Sequence, residues 1–243
     1  MSTLSNAHSP FKTTYPTVDG IIRTIDDKPV TGKNKRYQGL YDSYAPYYTP
    51  IQKVLEFFFI LFRKDRVNPI DRYLADLGIK SGDKVLEISI GSGDNVSTLP
   101  KDIDLYGLDI SLGMLKQCLK RHGKRRSLTL VHGMAEELPF NDETFDAVFH
   151  VGGINFFNDR AKAIREMIRV AKPGTRFVIA DETEKAAKAG EKMLIARRFF
   201  KNRDEEIVPP IDLIPKDMLD IKLTYLEAIG NCELYVITFT KPK

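Results

Sequence analysis

The sequence predicts an α/β fold in which helices cover both faces of a mostly parallel sheet. Between residues 84 and 181, short apolar segments typical of buried strands alternate with segments of helical pattern. This βαβα order is typical of parallel sheets. A glycine turn at 91–93 directly follows the first of these strands. Near the C-terminus, two strand-like segments joined by Gly230-Asn231 predict an antiparallel hairpin, because so short a connection permits no other pairing.

The chain begins with a segment, residues 1–36, that we predict to be an N-terminal extension. It is polar, contains several glycines and prolines, and shows no sustained helical period. Within it, Tyr15–Ile22 has the composition of a strand and a turn. Its first ten residues, Met1–Pro10, contain no apolar core, so we do not expect a secretory signal.

Residues 37–80 are predicted to form a helical cap in front of the sheet. The segment is aromatic and follows a helical pattern, and its prolines divide it. Pro46 and Pro50 predict a short helix followed by a longer one from about Pro50. Asn68-Pro69 predicts the start of a further helix, which ends at Gly78.

The central part of the chain carries the strands and helices of the sheet. Ser111 is a good N-cap for a helix that runs to about His122. Arg160–Ala171 is a second helix, ended by Lys172-Pro173-Gly174. Five strands are predicted, at Lys84–Ile90, Asp104–Asp109, Ser127–His132, Phe145–Val151 and Arg176–Asp181.

The C-terminal part departs from this alternation. Thr183 to about Lys201 predicts a basic helix, and three prolines within 209–215 mark a loop. Residues 183–216 are therefore predicted to be a lid insertion. The hairpin then follows, with strands near 221–229 and 233–240.

Composition limits the class of protein. A chain of 243 residues fits one large α/β domain with a modest appendage. The formal net charge of +4 is small and does not indicate nucleic-acid binding. The two cysteines, Cys118 and Cys232, exclude a disulfide framework and fit a reducing compartment. No metal site is predicted. The longest apolar stretch, Val54–Phe62, is far shorter than the ~20 residues of a spanning helix, so we expect a cytoplasmic protein.

The most informative segment is Val85–Gly93, a strand that runs into a glycine turn. Such a turn lets a ligand approach the backbone at the carboxyl edge of the sheet. A dinucleotide fingerprint that starts at Gly91 needs a third glycine where Val96 stands, which weakens an NAD interpretation. Asp109 ends the next strand, where a carboxylate can accept hydrogen bonds from ribose hydroxyls. Its alternative role, capping the following helix, is already filled well by Ser111.

Five segments, in this order and at this spacing, resemble one known family: Val85–Gly93, Asp109, Gly133–Phe140, Phe145–Val148 and Arg165–Gly174. The family is the class I S-adenosylmethionine-dependent methyltransferases, and the most similar group is the ubiquinone/menaquinone-biosynthesis C-methyltransferases. The resemblance covers about residues 37–240. It implies a Rossmann-like, doubly wound sheet of seven strands in a domain of residues 37–243, with S-adenosylmethionine as cofactor.

The resemblance also implies the roles of particular residues. In the family, the stretch that matches Val85–Gly93 holds the methionine end of the cofactor. The acid that matches Asp109 holds the ribose, and the stretch that matches Gly133–Phe140 borders the adenine. The predicted cofactor-binding residues are Glu87, Ser89, Gly91, Gly93, Asp109, Ile110, Met114, Met134, Ala135, Glu136 and Val151.

Two residues depart from the family pattern. Ser89 stands where the first glycine is usual, at a modest backbone cost. Met134 stands where an aspartate usually contacts the adenine, and the lost hydrogen bond is worth about 1 kcal/mol. Backbone at Ala135 and the Met134 side chain can still contact the ring. Because of these two departures, an alternative stays open: the protein has the methyltransferase fold but acts as a non-catalytic cofactor-binding protein or scaffold.

The implied reaction needs mainly alignment, because the sulfonium methyl is already electrophilic. A base is required only where the acceptor must lose a proton. His150 can titrate near neutrality and is the predicted base, with a structural histidine as the alternative. Tyr41 and Tyr48 resemble the family's opening helix, which lies across the cofactor; alternatively they only pack on the sheet. Further candidates are Tyr44, Asn155, Asp181 and Glu182.

The methyl acceptor is predicted to be a small molecule, quinone-like or lipid-like. Burial of an exposed phenylalanine and attraction of a basic residue to an anionic surface contribute about 2 and 1 kcal/mol. One aromatic and basic helix is therefore a candidate for transient membrane contact, through Phe57, Phe58, Phe59, Phe62, Arg63, Lys64 and Arg66. The lid adds Met193, Leu194, Ile195, Phe199 and Phe200. The alternative is that these helices are core or a dimer contact.

One dense basic cluster raises an RNA methyltransferase as a further alternative. Its members are Lys116, Lys120, Arg121, Lys124, Arg125 and Arg126. A solvated turn at a helix C-terminus, where the helix dipole favours cations, explains the cluster more simply. We therefore do not expect a nucleic-acid partner, and the oligomeric state stays open.

Overall fold

The structure is a computed structural model of the chain. It describes residues 9–62, 71–125, 127–192, 197–201, 203, 205–227 and 233–243, and within 49–62 only the backbone. Six helices lie in these ranges: α1 Gly32–Phe62, α2 Asp71–Ala75, α3 Leu112–His122, α4 Arg160–Val170, α5 Glu184–Glu191 and α6 Arg197–Phe200.

The described strands form one sheet of nine. They are β1 Thr17–Val18, β2 Ile21–Arg23, β3 Lys84–Ile88, β4 Asp104–Asp109, β5 Leu128–His132, β6 Ala147–Val151, β7 Arg176–Glu182, β8 Leu219–Glu227 and β9 Glu233–Thr240. Their order in the sheet is β1-β2-β5-β4-β3-β6-β7-β9-β8. The neighbours from β2 to β7 are parallel, whereas β9 pairs antiparallel with both β7 and β8. The predicted α/β fold with a C-terminal antiparallel pair is confirmed, with two strands more than predicted.

The two additional strands come from the N-terminal extension. A turn at Asp19 and Gly20, both with positive φ, joins β1 to β2. Ile21 on β2 pairs with Leu130 on β5 and is fully buried. The strand and turn predicted within Tyr15–Ile22 are thus part of the central sheet.

Helix α1 is longer than the sequence predicts, and it is one continuous helix. It starts at Gly32, so the predicted boundary at residue 37 lies inside it, and it continues through Pro46 and Pro50. The predicted division at these prolines is wrong. Each proline removes one backbone donor, but the part of α1 beside Pro46 packs on α3, where Ala45 lies close to Gly113. The contact between α1 and α3 therefore outweighs the tendency of proline to break a helix.

The predicted helix over 183–201 is divided into two shorter helices, α5 and α6, and residues 193–196 between them lie outside the described residues. Arg203 ties this segment together, because its guanidinium donates to Glu184 at 2.6 and 3.1 Å and to Glu191 at 2.9 Å. This contact lowers the pKa of Glu184 to about 2. The predicted helix start at Asn68-Pro69 and the predicted turn at Gly230-Asn231 also lie outside the described residues.

Apolar side chains bury both faces of the sheet. One face packs Phe145, Phe177 and Tyr235, and the other packs Leu105 and Phe149. Because both faces are covered, the parallel strands β3, β4, β6 and β7 offer only their carboxyl ends to a ligand. Among the described residues, no helix combines the length and the apolarity that a membrane crossing needs.

Candidate functional site

A cavity of about 360 Å³ lies at the carboxyl ends of β3, β4, β6 and β7, under α1. This is the edge of the sheet at which the sequence predicts the ligand. The side chains and turns that line it are Asn34, Tyr37, Tyr41, Tyr48, Glu87, Ser89, Ile90, Gly91, Ser92, Asp94, Asn95, Asp109, Ile110, Met114, Val151, Gly152, Gly153, Phe156, Phe157, Ala180, Asp181, Glu182 and Leu234.

The turn after β3 forms one wall of the cavity. Both Ser89 and Gly91 have positive φ, +58° and +55°. This conformation suits glycine but strains a serine, because the Cβ crowds the backbone. The neighbouring position in the wall is Gly153, where an added Cβ would lie in ordinary contact with the Ser89 hydroxyl, at 3.4 Å, so the serine is not crowded from this side. The departure from the family pattern at residue 89 therefore costs strain but does not close the cavity.

Glu87 is a buried carboxyl group at the end of β3. Only 1% of its surface is exposed, and its Oε1 accepts a 2.7 Å hydrogen bond from Asn95 Nδ2. Its Oε2 is buried and has no hydrogen-bond partner among the described residues. Burial raises the pKa of Glu87 to about 8, against the effect of the Asn95 bond. A buried acceptor without a donor is costly, and this one lines a cavity that a cationic donor can enter.

Asp109 joins two turns at the cavity floor. Its Oδ2 accepts from Gly91 N and its Oδ1 from Ser111 N, each at 2.8 Å. Ser111 itself caps α3, since its Oγ accepts from Met114 N. Burial raises the pKa of Asp109 to about 6, although the backbone donors oppose this shift. Each carboxylate oxygen has a second lone pair, so the side chain can still accept hydrogen bonds from a ligand.

Helix α1 and helix α6 cover the cavity with aromatic side chains. Tyr48 donates to Asp94 Oδ2 at 3.1 Å, and Tyr37 stacks on Phe156 with ring centroids 4.0 Å apart. Phe199 of α6 lies 5.0 Å from the Tyr41 ring, so the described part of the predicted lid contacts α1. Burial raises the pKa of both Tyr41 and Tyr48 well above the usual tyrosine value. These tyrosines therefore stay protonated and do not act as bases.

The electrostatic character of the cavity is acidic. Its lining includes five carboxyl groups, those of Glu87, Asp94, Asp109, Asp181 and Glu182. No lysine or arginine occurs among the described lining residues. Opposite charges stabilise each other strongly in a partly buried site, so the cavity favours cationic ligands and disfavours anionic ones.

Seven of the eleven predicted cofactor residues line the cavity, together with Tyr41 and Tyr48. The other four do not. Gly93 faces α3, where an added Cβ would meet Cys118 and His122. Met134 and Ala135 lie outside the lining, and Glu136 is engaged by Asn34 Nδ2 and Asn158 N, both at 3.0 Å.

Several lining residues were missed by sequence reasoning. Asn34 and Tyr37 reach the cavity from the first turns of α1, a region predicted to be extension and boundary. Phe156 and Phe157 follow β6 in a short 3₁₀ turn, Ile154–Phe156. The only sequence signal for this turn was the pair Gly152-Gly153, which has positive φ at both residues.

His150 is not placed to act as a base, so its predicted catalytic role is corrected. It is fully buried on β6 and does not line the cavity. Its Nδ1 lies 3.1 Å from Ile88 O, while its Nε2 accepts from Ile154 N at 3.0 Å. Both ring nitrogens are thus engaged by backbone, as in a neutral structural histidine. Burial lowers the pKa of His150 to about 4.

Two arginines of the basic cluster at the C-terminal end of α3 make internal contacts. Arg121 donates to Asp94 at 2.5 Å and to Ser92, and Arg125 donates to the carbonyls of Val96 and Pro100. These bonds hold the loop that follows the glycine turn. Arg126 lies outside the described residues. The arrangement supports the structural interpretation of the cluster rather than a polymer-binding surface.

Comparison with known proteins agrees with the fold. Residues 86–179 match a family model described as a methyltransferase domain. A demethylmenaquinone methyltransferase of Corynebacterium kroppenstedtii is 41% identical over 103 residues, which is 42% of this chain and 43% of that protein. The Staphylococcus aureus protein of the same name is 34% identical over 117 residues, 46% and 48% of the two chains. The matches thus span less than half of these relatives' length.

Solved structures share the fold at low sequence identity. The N-methyltransferase NodS of Bradyrhizobium japonicum, in complex with S-adenosylhomocysteine, has a TM-score of 0.55 at 15% identity. The similarity covers 72% of this chain and 89% of that protein.

Residues 86–179 therefore match a methyltransferase domain, and the resemblance to the class I S-adenosylmethionine-dependent methyltransferases seen in the sequence is confirmed. Within that class the chain is similar to methyltransferases of the menaquinone and ubiquinone type. S-adenosylmethionine is the cofactor of this class.

The structural role of His150 predicts its titration. A His150 pKa near 4 means that its ring proton signals stay constant in NMR spectra between pH 5.5 and 8. The unfolded chain binds the histidine proton near pH 6.5, so this contribution to stability is present above that pH and is lost as pH falls towards 4. The His150 ring signals are identified by their absence from the spectrum of the His150→Gln variant. Titration of His150 near pH 7 would contradict the assignment.

The strain at Ser89 predicts a stabilising substitution. Ser89→Gly relieves the positive-φ penalty and raises the free energy of unfolding by about 0.5–1 kcal/mol, as measured by urea denaturation. Ser97→Gly is the matched control, because Ser97 is exposed and does not have positive φ. Glycine at 97 adds only chain entropy to the unfolded state, so it lowers stability or leaves it unchanged. Equal effects at both positions would mean that Ser89 is not strained.

Proposed function

We propose that the chain transfers a methyl group from S-adenosylmethionine to a small-molecule acceptor. The observation that carries the proposal is the acidic cavity at the strand ends, where the unpartnered Oε2 of Glu87 and the Asp109 carboxylate flank one turn. S-adenosylmethionine carries a sulfonium, an ammonium and a carboxylate group, so its net charge is positive. A cavity with five carboxyl groups and no lysine or arginine in its described lining fits such a ligand.

The cavity residues divide naturally between the parts of the cofactor. Glu87 and the turn at Ser89–Gly91 are assigned to the methionine end, because Glu87 Oε2 can accept from an ammonium. Asp109 is assigned to the ribose hydroxyls. Ile110, Met114 and Val151 supply apolar walls beside it. Met134, Ala135 and Glu136 then act indirectly, since Glu136 holds Asn34, which does line the cavity.

For methyl transfer, the protein has to align the two reactants and exclude water from them. When bound, the cofactor supplies an electrophilic methyl group on a sulfonium. Tyr41 and Tyr48 cover the cavity from α1, and Phe199 packs on Tyr41 from α6, so both helices exclude water from the reacting centre. Exclusion of water strengthens every electrostatic contact inside. The assignment of α6 as part of a lid rests on these contacts.

The proposed acceptor is quinone-like or lipid-like. The similarity to proteins named demethylmenaquinone methyltransferases supports this choice. The aromatic lining from Tyr37, Phe156 and Phe157 is suited to a flat apolar ring. The aromatic helix that was predicted to contact membranes is the second half of α1, and its side chains lie outside the described ones.

Calorimetric titration with S-adenosylmethionine and S-adenosylhomocysteine tests the proposal, with NAD as the negative control. We expect one saturable site for the first two. Asp109→Asn weakens binding by tenfold or more, because charge-assisted hydrogen bonds are worth about 1.5–3 kcal/mol. Asp104→Asn is the matched control at the exposed start of the same strand. If the native chain binds neither S-adenosylmethionine nor S-adenosylhomocysteine, the result favours a scaffold protein that binds no cofactor.

The raised pKa of Glu87 predicts that cofactor affinity depends on pH. A cation binds the ionised carboxylate, so affinity rises from pH 6 to pH 8, by up to about tenfold per unit. Below pH 8, binding releases the Glu87 proton, which calorimetry in buffers of different ionisation enthalpy measures directly. In Glu87→Gln, the part of the pH dependence that belongs to this group disappears. A native affinity that is flat across this range would remove Glu87 from the ammonium site.

A further inference from the structure

Three carboxyl groups in the cavity have no part in holding the cofactor as assigned above. Asp94 is engaged by Tyr48 and Arg121, which leaves Asp181 and Glu182. Asp181 and Glu182 end β7 and line the cavity opposite the Glu87 wall, beside the 3₁₀ turn after β6. Asp181 is 1% exposed, and Glu182 is half-buried. Buried carboxylates are kept in proteins only where they are paired or hydrogen-bonded, so their surroundings indicate their use.

The backbone holds Asp181 in one orientation. Its Oδ2 accepts from Gly153 N at 3.1 Å and from Asn155 N at 3.0 Å, and its Oδ1 accepts from Glu182 N at 2.9 Å. Asn155 is fixed in turn, since its Oδ1 accepts from Tyr235 Oη at 2.8 Å. The carboxyl group is therefore positioned rigidly at the cavity wall.

The neighbouring Glu182 affects the protonation of Asp181. Burial, and next the contact with Glu182, raise the pKa of Asp181 well above its usual value. Two carboxylates in contact cannot both be ionised at little cost, so Asp181 favours its protonated form. Both side chains belong to the cavity lining, so the pair presents its carboxyl groups to a ligand.

Among the described residues, no lysine or arginine lines the cavity beside the pair. Tyr41 and Tyr48 approach the pair from α1, and Tyr235 approaches it from β9. Arg160 acts electrostatically on Tyr235 but does not line the cavity. The reacting head of the acceptor is therefore neutral or cationic, and it carries a proton that it can donate.

We propose that Asp181 and Glu182 form the acceptor subsite, and that the pair takes the proton from the hydroxyl or ammonium head of the acceptor. This inference rests on the proposed methyl transfer. In the step, the acceptor's electron pair forms the new bond to the methyl carbon, and the sulfonium sulfur keeps the electrons of the broken carbon–sulfur bond. The acceptor proton goes to the carboxylate pair. The pair thus takes the role that His150 cannot fill.

The first experiment measures binding without turnover. Three naphthalene probes that differ only in the head are titrated into the S-adenosylhomocysteine complex: 1,4-naphthalenediol under reducing conditions, 1-naphthylmethylamine and 1-naphthoate. We expect the diol or the amine to bind at least tenfold more tightly than the carboxylate, and their comparison distinguishes a hydroxyl acceptor from an amine. Naphthoate binding as tightly as the better of the other two, or no binding of either protonated probe, would overturn the subsite.

The second experiment measures turnover of the better probe, as release of S-adenosylhomocysteine. Asp181→Asn and Glu182→Gln lower kcat at least a hundredfold, in the range expected for loss of a general base. Both keep the affinity for S-adenosylmethionine within threefold. The exposed Glu227→Gln on β8 is the control and stays at native rate. Native kcat in Glu182→Gln would overturn the proposal even where Asp181→Asn fails to fold. If native protein fails to bind S-adenosylmethionine, the proposed function itself is wrong.

Discussion

The Asp109 carboxylate is the contact on which the site depends. By accepting Gly91 N and Ser111 N, it fixes the turn after β3 to the start of α3. Neither turn has regular hydrogen bonding at this point, so without the carboxylate two backbone donors would be buried without partners. The same side chain faces the cavity. The buried Asp109 carboxylate therefore serves both the structure and ligand binding, which explains why an ionisable group lies there.

The cavity shows how one sign of charge can be concentrated in a small protein. Five carboxyl groups line about 360 Å³, and burial raises the pKa values of Glu87, Asp109 and Asp181. Groups that are held partly protonated cost less to bury than full charges. A cationic ligand shifts them towards the ionised form on arrival. Burial of these carboxyl groups therefore costs less free energy while no cation is bound, and the cavity still attracts a cation.

The sequence alone predicted the fold well because its signals are local. Alternating strands and helices, the turn at 91–93 and the cap at Ser111 each depend on neighbours a few residues away. Asp109 followed from its place at the end of a strand, and Glu87 followed from the resemblance of the Val85–Gly93 stretch to the family. Asn34 and Tyr37 were not found, because they reach the cavity only through the packing of a long helix. His150 was misjudged for a related reason, since burial of a strand-end side chain depends on the turn that folds back over it.

Helix α1 also shows the limit of local rules. Proline predicts a break, and the helix continues through two of them. Asp42 accepts from Ser111 Oγ at 2.6 Å and from Gly113 N at 2.8 Å, so α1 is tied to the beginning of α3. A few such contacts match the ~3 kcal/mol that a proline costs in a helix interior.

The edges of the sheet affect how the chain behaves in solution. β2 covers β5, and the outer strand β1 has only two residues, so this edge offers almost no unpaired backbone. The other edge, β8, carries an irregularity between Leu219 and Lys222, with Asp220 at a φ of 52°. Short and bulged edge strands are poor templates for a further strand. The two-residue β1 and the irregular start of β8 are therefore poor sites for edge-to-edge pairing with a second chain.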